Sequence, residues 1–168
     1  MISVTQIPPR VSVMMDANIV VYALFPQTKH HSSCKHLLER GARSEIQLHM
    51  VVNAVADVLH RTMIFELLAQ GVVQKSSDAV NHLKQHPQTV QQLTRYKTVL
   101  RDLRQVRINI LALSYQDLHS SRQYRENYGL MTNDSLIVAV MKREKIQHLA
   151  TNDIDFQRIP DITVCLPD

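Results

Sequence analysis

Short apolar runs alternate with amphipathic stretches along most of the chain, and this order predicts strands separated by helices. The apolar runs predict strands at about 11–15, 47–52, 108–113, 147–151 and 162–166. Apolar positions at helical spacing predict helices at about 17–24, 30–40, 53–70, 77–86, 88–106, 114–128 and 134–143. Because a helix between two strands makes a crossover connection, the pattern predicts an α/β fold with a central, mainly parallel sheet of about five strands flanked by helices.

Capping residues predict where several of these helices begin and end. Gly41 is expected to end the second helix, and Asn53 is expected to cap the start of the third. Ser114 and Asp117 have the spacing of a capping box, and Asn133 is expected to cap the helix that carries the next acidic residue.

The length of 168 residues is typical of one domain, and no linker or low-complexity segment divides the chain. Residues 1–168 are therefore expected to fold as a single unit. Residues 1–10 are expected to form a flexible N-terminal extension. Residues 72–106 are expected to form an inserted helical hairpin, in which Pro87 separates the two helices.

Composition and charge narrow the class of protein. Hydrophobic residues make up 45% of the chain and charged residues 20%, as in folded globular proteins. The apolar runs are shorter than the ~20 residues that span a bilayer, and the N-terminus lacks a secretory pattern, so we expect no membrane association and a cytoplasmic location. Cys34 and Cys165 lack zinc-site spacing and are expected to be reduced thiols. The net charge of +4 mildly favours a polyanionic partner.

Acidic residues stand where the predicted strands end and the following helices begin. Asp16 directly follows the first strand, Asp153 follows the fourth, and Asp134 opens a helix. Asp57 lies one turn into the helix after the second strand. Because the carboxyl ends of parallel strands meet at one edge of a sheet, we expect these four side chains to lie close together.

Clustered carboxylates repel one another unless a cation or a proton neutralises them. The candidate ligands are carboxylate oxygens, with no set of Cys or His residues beside them, and such ligands favour Mg²⁺, with Mn²⁺ as an alternative. We expect one or two of these ions. Such ions activate water and stabilise charge on a phosphodiester. The chain has no phosphate-binding P-loop, dinucleotide-binding glycine motif or serine-hydrolase motif, so the sequence does not support those enzyme classes.

Each of these residues also has a simpler explanation. Asp16, Asp134 and Asp153 could cap the following turn or helix, and Asp57 could pair with Arg61 four residues later. Polar residues beside the acids could orient them or their waters, although loop capping explains each one alone. These candidates are Asn18, Thr132, Asn133, Thr151 and Asp155.

Three segments resemble the PIN-domain family, in particular the toxin nucleases of type II toxin-antitoxin pairs. They are VSVMMDANIVVYAL at 11–24, TNDSLIVAVMKRE at 132–144 and HLATNDIDFQRIP at 148–160. A fourth segment, VVNAVADVLHR at 51–61, resembles the motif of the family's second acid, which is usually Glu and here is Asp57. The insertion at 72–106 is longer than the compact toxin pattern.

The resemblance implies a metal-dependent endoribonuclease in which Asp16, Asp57, Asp134 and Asp153 hold the metal. It also implies an RNA substrate, a homodimer, and an antitoxin protein that inserts into the acidic groove. Because Asp57 replaces Glu, a catalytically weakened PIN-like module that binds RNA or a protein partner is the alternative. A haloacid-type phosphatase is disfavoured, because Asn18 stands where that family has its second Asp.

Overall fold

The strands form a single parallel sheet of six strands in the computed structural model, which describes residues 1–168. They are β1 (Ile2–Ser3), β2 (Ser12–Met15), β3 (Gln47–Val51), β4 (Asn109–Leu111), β5 (His148–Ala150) and β6 (Thr163–Leu166). Their order across the sheet is β1-β6-β5-β2-β3-β4, and every neighbouring pair is parallel. The α/β fold predicted from the sequence is confirmed, with one strand more than expected.

Eight α-helices connect these strands. They are α1 (Ala17–Leu24), α2 (His31–Ala42), α3 (Val52–Ala69), α4 (Ser76–Gln85), α5 (Pro87–Gln92), α6 (Arg95–Gln105), α7 (Tyr115–Tyr128) and α8 (Thr132–Arg143). Short 3-10 helices lie at Val4–Gln6 and Ile154–Arg158. None of the helices combines the length and the apolar character that a transmembrane segment needs.

The sheet has an apolar core on each face, and β2 contributes to both. Val13 and Met15 pack into a core with residues of α1, α2, α3 and α6. Met14 points to the other face and packs with residues of α7 and α8. All three side chains are fully buried, as expected for a central strand of a parallel sheet. This packing fixes the carboxyl end of β2, from which the candidate site begins.

The N-terminal residues differ from the sequence-based prediction of a flexible extension at 1–10. Ile2 and Ser3 pair with Cys165 and Leu166 of β6, and this makes β1 an edge strand. The side chains of Val4 and Ile7 are buried in the core, with 1% and 3% of their surface exposed. A two-residue strand is too short to produce a periodic pattern, so it cannot be predicted from the pattern of apolar residues.

Three helix boundaries also differ from the prediction. Gly41 does not end α2 but lies inside it, where a Cβ atom would collide with the Leu48 side chain of β3. Asn53 and Asn133 do not cap their helices, because each helix begins one residue earlier. Both asparagines therefore lie in the first turn. The capping box of Ser114 and Asp117 is confirmed, with both reciprocal hydrogen bonds present.

The segment at 72–106 contains three helices rather than the two of the predicted hairpin. The helical structure is interrupted between α5 and α6, at Leu93 and Thr94. There the buried carboxylate of Glu66 in α3 accepts hydrogen bonds from the Thr94 N–H at 2.9 Å, the Thr94 hydroxyl at 3.1 Å and the Arg95 N–H at 3.0 Å. Glu66 thus provides hydrogen-bond acceptors for the backbone N–H groups at the start of α6, and these bonds connect the inserted segment to α3.

Candidate active site

A polar pocket of about 460 Å³ lies where β2 and β5 end, and it contains all four acids predicted from the sequence. It is lined by Asp16, Asn18, Asn53, Ala54, Asp57, Arg61, Met131, Thr132, Asn133, Asp134, Ile137 and Asp153. The acids meet because β5, β2 and β3 are neighbours in a parallel sheet, so the segments that follow these strands converge on one edge.

Asp16 is the most firmly held of the four acids. Its Oδ1 accepts a hydrogen bond from the Ala17 N–H at 2.6 Å. Its Oδ2 accepts from the Asn18 amide at 2.6 Å and from the Thr151 hydroxyl at 2.8 Å. Burial raises the pKa of Asp16, and the hydrogen bonds from Thr151 and from the Ala17 N–H act against that rise. The carboxylate is therefore fixed in orientation before any ligand binds.

The Asp134 carboxylate accepts no hydrogen bond and forms no ion pair, although the residue is partly buried in the first turn of α8. Burial, together with the nearby charges of Asp16, Asp153 and Asp155, raises the pKa of Asp134 to about 6. An acid in this environment is neutralised either by a proton or by a bound cation.

Asp153 and Asp155, which follow β5, differ in position, since only Asp153 lines the pocket. The Asp153 Oδ1 accepts a hydrogen bond from the Asp155 N–H at 2.8 Å, and the Asp153 N–H donates to the Thr151 hydroxyl at 3.0 Å. Asp155 does not line the pocket, and its carboxylate accepts a hydrogen bond from Arg158 at 2.6 Å. Thr151 is completely buried and links Asp153 to Asp16.

Asp57 faces the pocket from α3, but it is paired within its own helix. The Arg61 Nε donates to the Asp57 Oδ2 at 2.7 Å, which is the i to i+4 pair that the sequence left open as an alternative. Asn18, Thr132 and Asn133, the polar candidates that accompany the acids in the sequence, also line the pocket.

Two further pocket residues, Asn53 and Arg61, were not predicted as part of the site. The Asn53 Nδ2 donates to the Asn133 Oδ1 at 3.5 Å, and its own Oδ1 is buried without a hydrogen-bond partner. Asn53, Asp57 and Arg61 follow one another at intervals of four residues, so they share one face of α3. That spacing is the sequence signal that could have identified them.

A family model described as the PIN domain matches residues 13–162. The match includes all four acids of the pocket and most of the chain. The chain belongs to the PIN-domain family.

Individual relatives of this PIN domain are distant in sequence. Ribonuclease VapC6 of Methanocaldococcus jannaschii is 25% identical over 161 residues, which cover 91% of this chain and 95% of the relative. VapBC2 of Rickettsia felis, solved with a DNA fragment from its promoter, has a TM-score of 0.58 at 23% identity and covers 94% of this chain and 100% of the matched one. VapC20 of Mycobacterium tuberculosis, described as a sarcin-ricin loop cleaving toxin, has a TM-score of 0.53 at 12% identity. This match covers 86% of this chain and 92% of the matched one. The structural matches support the fold.

The pocket of this PIN domain fits a hard divalent cation that keeps part of its water shell. Asp134 has no partner, and the Asn53 Oδ1 is an orphaned buried acceptor, so the pocket holds oxygen atoms that need a positive or hydrogen-bonding neighbour. No three side chains of the His, Cys, Asp and Glu types converge closely enough to hold one ion together. Mg²⁺ usually binds proteins through one or two carboxylates and several waters, so this arrangement is compatible with it.

Proposed function

We propose that this PIN domain is a metal-dependent endoribonuclease that hydrolyses RNA phosphodiester bonds and acts as the toxin of a type II toxin-antitoxin pair. The observation that carries the proposal is the pocket in which Asp16, Asp134 and Asp153 meet, with Asp134 unpartnered. Membership of the PIN family supports nuclease chemistry. The relatives named as a ribonuclease and as an RNA-cleaving toxin support RNA as the substrate.

Asp16, Asp134 and Asp153 would hold one or two Mg²⁺ or Mn²⁺ ions, each ion through one or two of these carboxylates and retained waters, and Asp57 would contribute through a water, because Arg61 already binds one of its oxygens. When bound, the metal activates water and neutralises the charge that develops on the phosphodiester. Thr151 and Asn18 fix the orientation of the Asp16 carboxylate. Asp134 supplies a carboxylate that has no hydrogen bond or ion pair within the protein. These residues prepare the pocket before substrate arrives.

The partners of the protein belong to the same proposal. The solved structures with this fold include a toxin-antitoxin complex from Klebsiella pneumoniae, with a TM-score of 0.56 at 20% identity. We propose that a cognate antitoxin binds this chain and that the chain forms a homodimer.

Substitution of Asp16 tests the proposed function most simply. Asp16→Asn removes one pocket charge and keeps the size of the side chain, so we expect Mg²⁺- or Mn²⁺-dependent RNA cleavage to fall by at least about a hundredfold. Asp161→Asn is the matched control, because the Asp161 side chain is 81% exposed and lies outside the pocket. Cleavage is followed on gels, and circular dichroism checks the fold. Equal cleavage by the two variants would contradict the proposal.

A second function is favoured by one observation, the ion pair between Asp57 and Arg61. Because this pair neutralises the acid that replaces the usual Glu, a module that binds RNA or a protein without cutting it is the alternative. RNA binding by the unaltered protein without cleavage under any divalent ion would favour this alternative.

A further inference from the structure

Arg61 is the only basic residue among the twelve that line the acidic pocket. Its Nε is bound to Asp57, but its two terminal amino groups make no hydrogen bond within the protein. Its side chain is 50% exposed. A guanidinium has five N–H donors, so four of them remain free to bind a ligand at the pocket wall.

The surroundings of Arg61 connect two cavities. A second cavity of about 270 Å³ adjoins the pocket and is lined by Asp57, His60, Arg61, Ile64, Phe65 and Ser76. Asp57 and Arg61 belong to both cavities, so their ion pair forms the wall between them. Ser76 is the first residue of α4, and the inserted segment therefore forms the far side of the second cavity. An extended ligand that leaves the pocket in this direction passes over Arg61.

We infer that Arg61 binds a backbone phosphate of single-stranded RNA next to the bond that is cut, and that the second cavity accommodates the flanking nucleotide. The inference rests on the proposed function and names a residue that positions its substrate. Carboxylates repel phosphates, so a polyanion needs a cation at the rim of an acidic pocket. A guanidinium suits this role, because its planar N–H groups bind phosphate oxygens in pairs.

A purely structural role does not account for Arg61 equally well. An exposed ion pair between residues four apart on a helix contributes little to stability. The Asp57–Arg61 pair therefore adds little to α3. The positive charge of Arg61 does act on the pocket, because it lowers the pKa values of Asp16 and Asp134 against the effect of burial.

The chain offers a matched control for Arg61. Arg122 in α7 forms the same kind of pair with Glu126, four residues later, with its Nε 2.6 Å from the Glu126 carboxylate. The Arg122 side chain is 71% exposed and lines neither of the two cavities. Arg61→Gln and Arg122→Gln therefore change the net charge equally, and each removes one ion pair between residues four apart on a helix, but only the first changes the proposed RNA path.

The test measures binding of fluorescein-labelled single-stranded RNA to the full chain by fluorescence anisotropy, in EDTA so that no cleavage occurs. We expect Arg61→Gln to weaken binding about tenfold. The slope of log Kd against log salt should fall by about 0.7 for the loss of one phosphate contact to a single strand. Arg122→Gln should leave both values close to those of the unaltered protein. Arg61→Lys should restore the slope, because it keeps the charge, but only part of the affinity.

Equal binding by Arg61→Gln and Arg122→Gln, with equal melting temperatures, would overturn the inference. If the unaltered protein still cleaves RNA in that case, the proposed function stands without the Arg61 contact. A failure of the unaltered protein both to bind and to cleave RNA would overturn the inference and the proposed function together.

Discussion

Helices α7 and α8 each carry an aspartate at the third position of the first turn, and the two carboxylates have opposite environments. Asp117 accepts hydrogen bonds from the Ser114 N–H at 2.8 Å and the Ser114 hydroxyl at 2.7 Å, and it pairs with Arg143. Burial raises the pKa of Asp117, but these partners outweigh burial and lower it overall. Asp134 has no such partners, and its pKa is raised to about 6 by burial and by neighbouring acids.

The residue at the N-cap accounts for this difference. Ser114 caps α7 and closes a capping box with Asp117, whereas Met131 occupies the same position in α8 and has no hydroxyl group. Asp134 is therefore left free to face the pocket. A partly buried carboxylate without a partner is costly for the fold, and such groups are typical of functional sites.

The largest effect on stability should come from Asp117, the structural member of the two. Asp117→Asn removes the buried negative charge to which Ser114 and Arg143 are bound. We expect this substitution to lower the free energy of unfolding by about 2 kcal/mol at neutral pH. RNA cleavage should not change, because Asp117 lies outside the pocket. Urea denaturation measures the loss.

The pH dependence of this loss sharpens the comparison. Because the pKa of Asp117 is lowered in the folded state, its contribution is complete above the ordinary aspartate value of about 4 and is lost as the pH falls through the folded value. The two proteins should therefore approach equal stability in acid. A stability difference that stays constant from neutral to acid pH would show that Asp117 is not held as a charged group.

A smaller effect is expected from giving α8 the cap that α7 has. Met131→Ser supplies a hydroxyl at the N-cap, and we expect it to close a capping box with Asp134 and to stabilise the protein by about 1 kcal/mol. The captured carboxylate would be less available to the pocket, so RNA cleavage should fall. Met131→Ala is the control, since Met131 is 74% exposed and alanine removes it without adding a hydroxyl. Equal melting temperatures and cleavage rates for the two variants would contradict this account.

Much of the fold could be predicted because it is encoded in local patterns. The five apolar runs correspond to β2 through β6, and the run is clearest in β2, a central strand covered on both faces. The first strand could not be predicted, because pairing with β6, a contact distant in sequence, creates it. Gly41 was interpreted as a helix end, but its role is close packing of α2 against Leu48.

The candidate site was predictable to a similar extent. Asp16 and Asp153 follow strands directly, and parallel topology alone brings such residues to one edge. Asparagine favours the N-cap position, so the sequence predicts Asn53 and Asn133 as caps, but Val51 and Met131 occupy that position. Arg61 was considered only as a partner of Asp57. Its place between two cavities depends on how α4 packs, and the sequence pattern does not specify this packing.

Titration of the metal-free protein with MnCl₂ by isothermal calorimetry tests the central claim most directly, namely that Asp134 is left without a protein partner in order to bind a divalent cation. The account predicts stoichiometric uptake by the unaltered protein and by Asp117→Asn, and at least a tenfold loss of affinity in Asp134→Asn. No uptake by the unaltered protein, or the same affinity in Asp134→Asn, would contradict it.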